Sequence, residues 1–133
     1  MNEKAKKLMR EQRKGIREAL HNGFQLLVVE DELAEDEEYQ LTEEGYHCFI
    51  LEYGEFQPSS NERTISQSIY VSYLSENQSN LDEQVIDIIS WVGKVKMVSF
   101  VVSKSDRLQV KDTDRYIDRV VFTFQRVIPI ECI

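Results

Sequence analysis

His47 and Cys48 are adjacent residues with an evident capacity for chemistry, because imidazole and thiolate are common ligands of structural zinc. A structural zinc site usually takes four ligands in closely spaced pairs, and the sequence offers only His21 and Cys132 in addition. On a strand, the side chains of His47 and Cys48 point to opposite faces and cannot hold one ion together. We therefore expect no metal site, a small core residue at Cys48, and two free thiols.

Nucleophilic catalysis and phosphate binding need spacings that this sequence does not contain. A thiol catalyst needs a histidine within hydrogen-bond reach and a third orienting group, and nothing around Cys48 or Cys132 supports that arrangement. No serine lies in a G-x-S-x-G turn, and the five glycines are too scattered for a phosphate-binding loop. The acids of residues 30–44 lack the spacing that folds oxygen ligands around calcium. We expect a protein that is not an enzyme and that uses no cofactor.

Charge is unevenly distributed along the chain, which has 24 acidic and 16 basic residues and a net charge of −8. Residues 1–22 carry a net charge of +4, so the remainder carries −12. Nine of the acids lie in residues 30–44, where no lysine or arginine occurs. Such a run repels itself and resists burial, so we expect a solvated loop or an interaction surface. The acidic balance argues against tight DNA binding, which needs a basic surface.

The first basic segment is predicted to be a helix over residues 3–21, with Asn22 and Gly23 as its stop. Its apolar stripe weakens at Gln12 and Arg13, so we expect it to cover a sheet edge or a neighbouring subunit rather than lie deep in the core. Spacings of three or four put five cations on one face. These are Lys4, Lys7, Arg10, Lys14 and Arg17. The face could be solvated, contact the acidic segment of another subunit, or touch nucleic acid or a membrane.

The remaining elements follow from alternating apolar residues and from the turn residues between them. The second helix is expected to begin at Asn80, with Glu83 completing a capping arrangement, and to stop at Gly93. The predicted strands are 24–29, 46–53, 64–75, 97–102 and 114–130, and the second helix is 81–92. The predicted loops are 30–44, 54–63 and 103–113. Because loops rather than helices join most of the strands, we expect one α+β domain over residues 1–133, with two helices packed on a mainly antiparallel sheet.

The final strand carries charges in its first half, at Asp114, Arg115, Asp118 and Arg119. Charges within an otherwise apolar strand guard against unwanted edge pairing, and they also set register with a partner. We therefore expect this strand to be an edge or an interface.

No apolar run approaches the roughly 20 residues of a membrane-spanning helix. The N-terminal residues lack the apolar centre of a secretory signal, so we expect synthesis in the cytoplasm and no membrane association.

The order of the predicted elements is a further clue. An N-terminal helix precedes strands with a long loop, a helix after a polar turn (SNLDEQVIDIISWV), and a strand, a polar connection and a terminal strand (DRYIDRVVFTFQRVI). This order resembles that of tail-terminator and tail-to-head joining proteins of long-tailed (siphovirus-like) bacteriophages. The likeness covers about residues 3–128 and is one of element order, not of a short motif.

The resemblance implies a structural virion protein at the junction of head and tail, made in the cytoplasm of the host bacterium. Such proteins form a ring, usually a hexamer, that ends polymerisation of the tail tube and joins it to the head. The implied partners are further copies, the tail-tube protein and the head-completion (stopper) protein, while DNA passes through without tight binding. Alternatives are another neck or tail-tube component, or a small cytoplasmic binding or regulatory domain.

The expected assembly interface combines the basic helix, the acidic run, the two later loops and the start of the final strand. Its residues are Lys7, Arg10, Lys14, Arg17, Glu35, Asp36, Glu37, Glu38, Glu55, Phe56, Arg63, Arg107, Lys111, Asp114, Arg115 and Arg119. We also expect the acidic excess to face the central channel of the ring, where like charge keeps DNA from adhering.

Overall fold

The computed structural model describes residues 1–30, 47–76, 79–109 and 116–131, which form two helices and five strands. In chain order these are α1 (Glu3–Phe24), β1 (Leu27–Glu30), β2 (His47–Pro58), β3 (Thr64–Ser75), α2 (Leu81–Gly93), β4 (Val98–Gln109) and β5 (Tyr116–Pro129). The strands form one sheet in the order β1-β2-β3-β5-β4. All neighbouring strands are antiparallel except β1 and β2, which are parallel. The expectation of a single α+β domain is confirmed.

Both helices pack on the same face of the sheet and enclose the main core with it. From α1 the core receives Ile16 and Leu20, and from α2 it receives Ile88 and Val92. Side chains that alternate along the central strands complete it, because directly opposed residues of paired strands share a face. These are Phe49, Leu51, Ile69, Val71, Tyr73, Val120, Phe122 and Phe124, with Val28 and Val98 from the outer strands.

The break in the apolar stripe of α1 is filled by a buried glutamine. Gln12 is only 1% exposed, and its Nε2 donates a hydrogen bond to the Lys96 carbonyl at 3.2 Å. Its Oε1 is buried without a partner among the described residues. Ile16 and Leu20 are fully buried. The expectation that α1 lies outside the core is therefore wrong for this part of the helix.

The ends of the helices differ from the expected stops. Helix α1 runs past Asn22 and Gly23, and the left-handed residue at its end is Gln25 (φ 56°), whose N–H donates to the His21 carbonyl. At the start of α2 the side chain of Asn80 makes no capping hydrogen bond, so the predicted capping arrangement is wrong.

Two of the predicted loops are strand in their first part. Residues 54–58 continue β2 beyond a bulge between Tyr53 and Phe56, and residues 103–109 continue β4. In both cases a long neighbouring strand, β3 or β5, supplies the backbone partners that extend the ladder. Residue 30 belongs to β1, while 31–44 and 110–113 lie outside the described residues.

The expectation that the last strand is an edge is wrong. β5 lies between β3 and β4, so the edges of the described sheet are β1 and β4.

Candidate assembly surface

β4 is a twelve-residue edge strand that pairs, within the described residues, only with β5. At about 3.3 Å per residue it presents an edge of roughly 40 Å of backbone donors and acceptors. Apolar side chains are exposed along it: Phe100, Val101, Val102 and Leu108. A bulge lies between Phe100 and Val102, and Lys104 follows, two devices that commonly limit uncontrolled edge pairing. The edge therefore combines features that attract a partner strand with features that restrict which partner fits.

Charged residues pair β4 with β5 at the far end of this edge. Arg119 donates to both carboxylate oxygens of Asp106, at 2.9 Å from Nε and 2.5 Å from Nη2. Arg107 donates to Asp118 at 3.2 Å from Nε. Of the charges expected to set register with a partner chain, Asp118 and Arg119 instead pair two strands of this chain. The hydrogen bonds from Arg119 hold the pKa of Asp106 below its usual range.

The sheet face opposite the helices carries no helix of the described residues. Strand register puts Val102, Leu108, Val121 and Tyr70 on this face, together with several serines of β3. Cys48, Leu74 and Ile117 form a small buried cluster at one end of it, with Ile50 packed against them. Cys48 is thus a core residue, as expected. Next to the β4 edge this face is mixed, because the register also puts Lys104 and Asp106 on it, between Val102 and Leu108.

Most cations of the predicted basic face already have acidic partners. Lys7 lies 4.0 Å from Glu11, and Lys14 lies 3.8 Å from Glu18. Arg17 lies 3.5 Å from Glu30, the first residue of the acidic run. Exposed pairs of this kind contribute little stability, but they reduce the charge that a partner would meet.

A second group of cations surrounds a cavity of about 300 Å³ between α1 and β5. We call this cavity the basic cleft. Its lining residues are Lys6, Met9, Arg10, Arg13 and Arg126. Of the predicted interface residues, only Arg10 lines it. The basic cleft thus brings together four cations, and three of them, Lys6, Arg13 and Arg126, are not among the predicted interface residues.

Arg126 is a buried cation at the base of this group, only 3% exposed. Its Nε and Nη2 donate to Gln67 Oε1 at 2.9 and 2.6 Å, and its Nη1 reaches the Met9 carbonyl at 3.4 Å. Gln67 is held in turn by a 2.9 Å hydrogen bond from its Nε2 to the Gly54 carbonyl, inside the β2 bulge. Burial lowers the pKa of Arg126, and the nearby charge of Arg13 acts in the same direction.

Tyr53 lies against both guanidinium groups. Arg13 is 4.3 Å and Arg126 is 5.0 Å from the centre of the Tyr53 ring, which is the range of cation–π contact. The Tyr53 hydroxyl is buried and accepts no hydrogen bond within standard distance among the described residues. Burial raises the pKa of Tyr53, while hydrogen bonding with Arg13 and the charge of Arg13 oppose that shift.

The other predicted interface residues are dispersed. Glu55 and the 51%-exposed Phe56 lie at the end of β2, and Arg63 is exposed in the turn before β3. Lys111, Asp114, Arg115 and the four acids at 35–38 lie outside the described residues. The structure thus brings Arg107 together with Arg119 at one end of β4 and β5, and keeps both apart from the α1 cations.

The sequence of β5 contains a pattern that points to Arg126. Val120, Phe122, Phe124 and Ile128 alternate along β5 and are buried, and Arg126 occupies the one charged position in that series. A charged residue at a core-facing position predicts a buried polar network, since a buried charge needs hydrogen-bond partners.

Among the described residues, no three His, Cys, Asp or Glu side chains gather where they could hold a metal ion. None of the described helices is both long and apolar enough to cross a membrane. Comparison with known proteins finds no family model that matches the chain and no curated protein that matches it.

Proposed function

We propose that this chain is a structural assembly protein that works by binding copies of itself and neighbouring proteins. More specifically, we propose that six copies of the chain form a ring at the head-proximal end of the tail of a long-tailed bacteriophage. There it ends polymerisation of the tail tube and joins the tail to the head. The proposal combines the likeness in element order with the exposed β4 edge.

The single observation that carries the proposal is the edge strand β4 with its exposed apolar side chains. An isolated protein usually blunts or covers such an edge, because it is a template for pairing with another chain. Val101 is 52% and Val102 is 45% exposed, in the middle of the strand. Burying them against a partner would remove apolar surface from water and satisfy the free backbone groups together.

A ring follows when one surface of each copy binds a different surface of the next and the rotation closes. The two edges of the sheet differ, since β1 has four residues and β4 has twelve. The ring that we propose joins β4 to a different surface of the next copy, which makes the contact head-to-tail.

The experiment uses the phage that encodes this chain, with its gene deleted and supplied in trans. We expect deletion to give tails of uncontrolled length or tails and heads left unjoined in electron micrographs. Wild-type protein and Ile86→Lys should restore joined particles, whereas Val102→Lys should not, because it places a charge on the β4 surface. Ile86 is the matched control, an exposed aliphatic residue (63%) on α2.

Normal particles from the deletion strain would overturn the proposed function. Equal rescue by Val102→Lys and Ile86→Lys would show that β4 is not part of the interface. Long filaments from purified protein alone would favour a tail-tube subunit instead.

A further inference from the structure

We propose that the basic cleft binds carboxylates of an acidic segment from another protein chain. The cleft is the cavity lined by Lys6, Met9, Arg10, Arg13 and Arg126. This proposal does not rest on the ring or on the phage assignment, because it is carried by a different surface.

The cleft has an excess of positive charge that the acids of the described residues do not balance. Only Lys6 has a carboxylate partner among the described residues, Glu3 at 3.8 Å, and that pair is exposed. Arg10, Arg13 and Arg126 form no ion pair with any described residue. This contrasts with Lys7, Lys14 and Arg17 on the same helix, each of which has an acidic partner.

Arg126 gives the cleft a buried charge with only neutral partners. A buried cation is costly unless it is paired, and the partners here are the Gln67 amide oxygen and the Met9 carbonyl. A guanidinium has five N–H groups, and these three contacts leave two donors without a partner among the described residues. A carboxylate accepts from such donors in pairs, which are among the stronger hydrogen bonds in proteins.

Two of the three arginines of the cleft, Arg13 and Arg126, are held in position by other side chains. Gln67 holds Arg126, and the Tyr53 ring lies under Arg13 and Arg126 at cation–π distance. Preorganised donors lose less conformational freedom on binding, so the site gains affinity without new contacts. The buried Tyr53 hydroxyl adds a further polar group beside the two guanidiniums.

Charge and size favour a protein carboxylate over a nucleic acid. A cavity of about 300 Å³ accommodates one or two acidic side chains. The whole chain has a net charge of −8, which disfavours a DNA duplex as the ligand. A second copy of this chain carries a segment of suitable composition, residues 30–44 with nine acids and no lysine or arginine.

The test titrates a fluorescent peptide with the sequence of residues 30–44 into the full chain at low salt and follows its anisotropy. We expect saturable binding that weakens as salt rises. The Arg10→Gln/Arg13→Gln double variant should bind about tenfold more weakly, since it removes two of the charges facing the ligand. Both side chains are exposed, so circular dichroism should show an unchanged fold.

Lys14→Gln is the matched control, because it removes a cation of α1 that is paired with Glu18 and does not line the cleft. It should bind the peptide as the wild type does. A peptide with glutamine in place of every acid should not bind. Absence of binding to the acidic peptide, equal binding by the double variant, or tighter binding of a 15-base-pair DNA duplex at the same arginines would overturn the proposal.

Discussion

Arg126 and Gln67 lie directly opposite each other on β5 and β3, and the guanidinium donates twice to the glutamine oxygen, at 2.9 and 2.6 Å. Both side chains are on the face of the sheet that the helices cover, where their neighbours along the strands are apolar. A neutral amide thus holds a buried cation in position and leaves its charge uncompensated. The same pair joins the core to the basic cleft.

Removal of the glutamine oxygen is expected to destabilise the fold. Gln67→Leu should lower the free energy of unfolding by about 2–4 kcal/mol, because Arg126 remains buried with two hydrogen bonds lost. Urea denaturation measures the change. Gln57→Leu, on the exposed end of β2, is the control and should change stability by less than about 0.5 kcal/mol. A loss no greater than that of the control would show that the Arg126–Gln67 pair is not structural.

Substitution of Gln12 is expected to stabilise the fold. Gln12→Met removes a buried oxygen that has no partner and replaces it with a side chain that packs. It also loses one hydrogen bond to the Lys96 carbonyl, so we expect a net gain of about 1 kcal/mol in the free energy of unfolding. Thermal and urea unfolding would both report it. A destabilised Gln12→Met would mean that the bond to Lys96 outweighs the unpaired oxygen.

Glycine is required at one position and replaceable at another. A Cβ at Gly54 would lie 2.7 Å from Tyr70 Cε2 and 3.3 Å from the Ser68 carbonyl, so Gly54→Val should destabilise by about 1–3 kcal/mol through overpacking. At Gly93, the last residue of α2, a Cβ would meet nothing within 4 Å. Gly93→Ala should therefore be neutral or stabilising, by up to about 1 kcal/mol. Equal effects of the two changes on the urea midpoint would contradict the geometry of the β2 bulge.

The Asp106–Arg119 pair predicts a pH dependence at the β4 edge. The pKa of Asp106 is lower in the folded state than in the unfolded state. The stability that the pair with Arg119 contributes is therefore present above the unfolded-state pKa, and it is lost as the pH falls through the folded-state pKa. In a carboxyl-carbon NMR titration, Asp106 should titrate below the ordinary aspartate value of about 3.9. Arg119→Gln should return it towards that value. Arg107→Gln is the control, since Arg107 pairs with Asp118 instead, and an equal shift in both variants would rule out the specific pair.

Much of the fold was predictable from local patterns. The prediction of β3 over residues 64–75 is confirmed at both ends, and α2 is correct to within one residue. In both segments the apolar period is unbroken, so the residues that face the core identify the element. Val120, Phe122 and Phe124 follow the same alternation along β5, and all three lie in the core.

The errors have a common physical origin in long-range pairing. The Gly54–Pro58 segment resembles a loop in composition, yet β3 supplies backbone partners for it beyond the bulge. The charges at Asp118 and Arg119 resemble those of an edge, yet their partners come from β4, a strand whose position local sequence does not specify. Gln12 and Arg126 looked like breaks in apolar patterns, although both are buried and held by hydrogen bonds from distant segments.

The interface predicted from sequence is only partly assembled by the structure. Arg10 belongs to the basic cleft, and Arg107 and Arg119 serve pairing within the sheet. The roles proposed for residues 35–38, and the absence of catalytic and cofactor chemistry, stay predictions.

The central claim, that the chain works by self-assembly through the β4 edge, is tested most directly by electron cryomicroscopy of the head–tail junction in the phage that encodes it. We predict a closed ring of this chain on the last turn of the tail tube, with Val101 and Val102 buried against the next subunit. A junction that lacks the chain, or a ring in which β4 faces solvent, would contradict the claim.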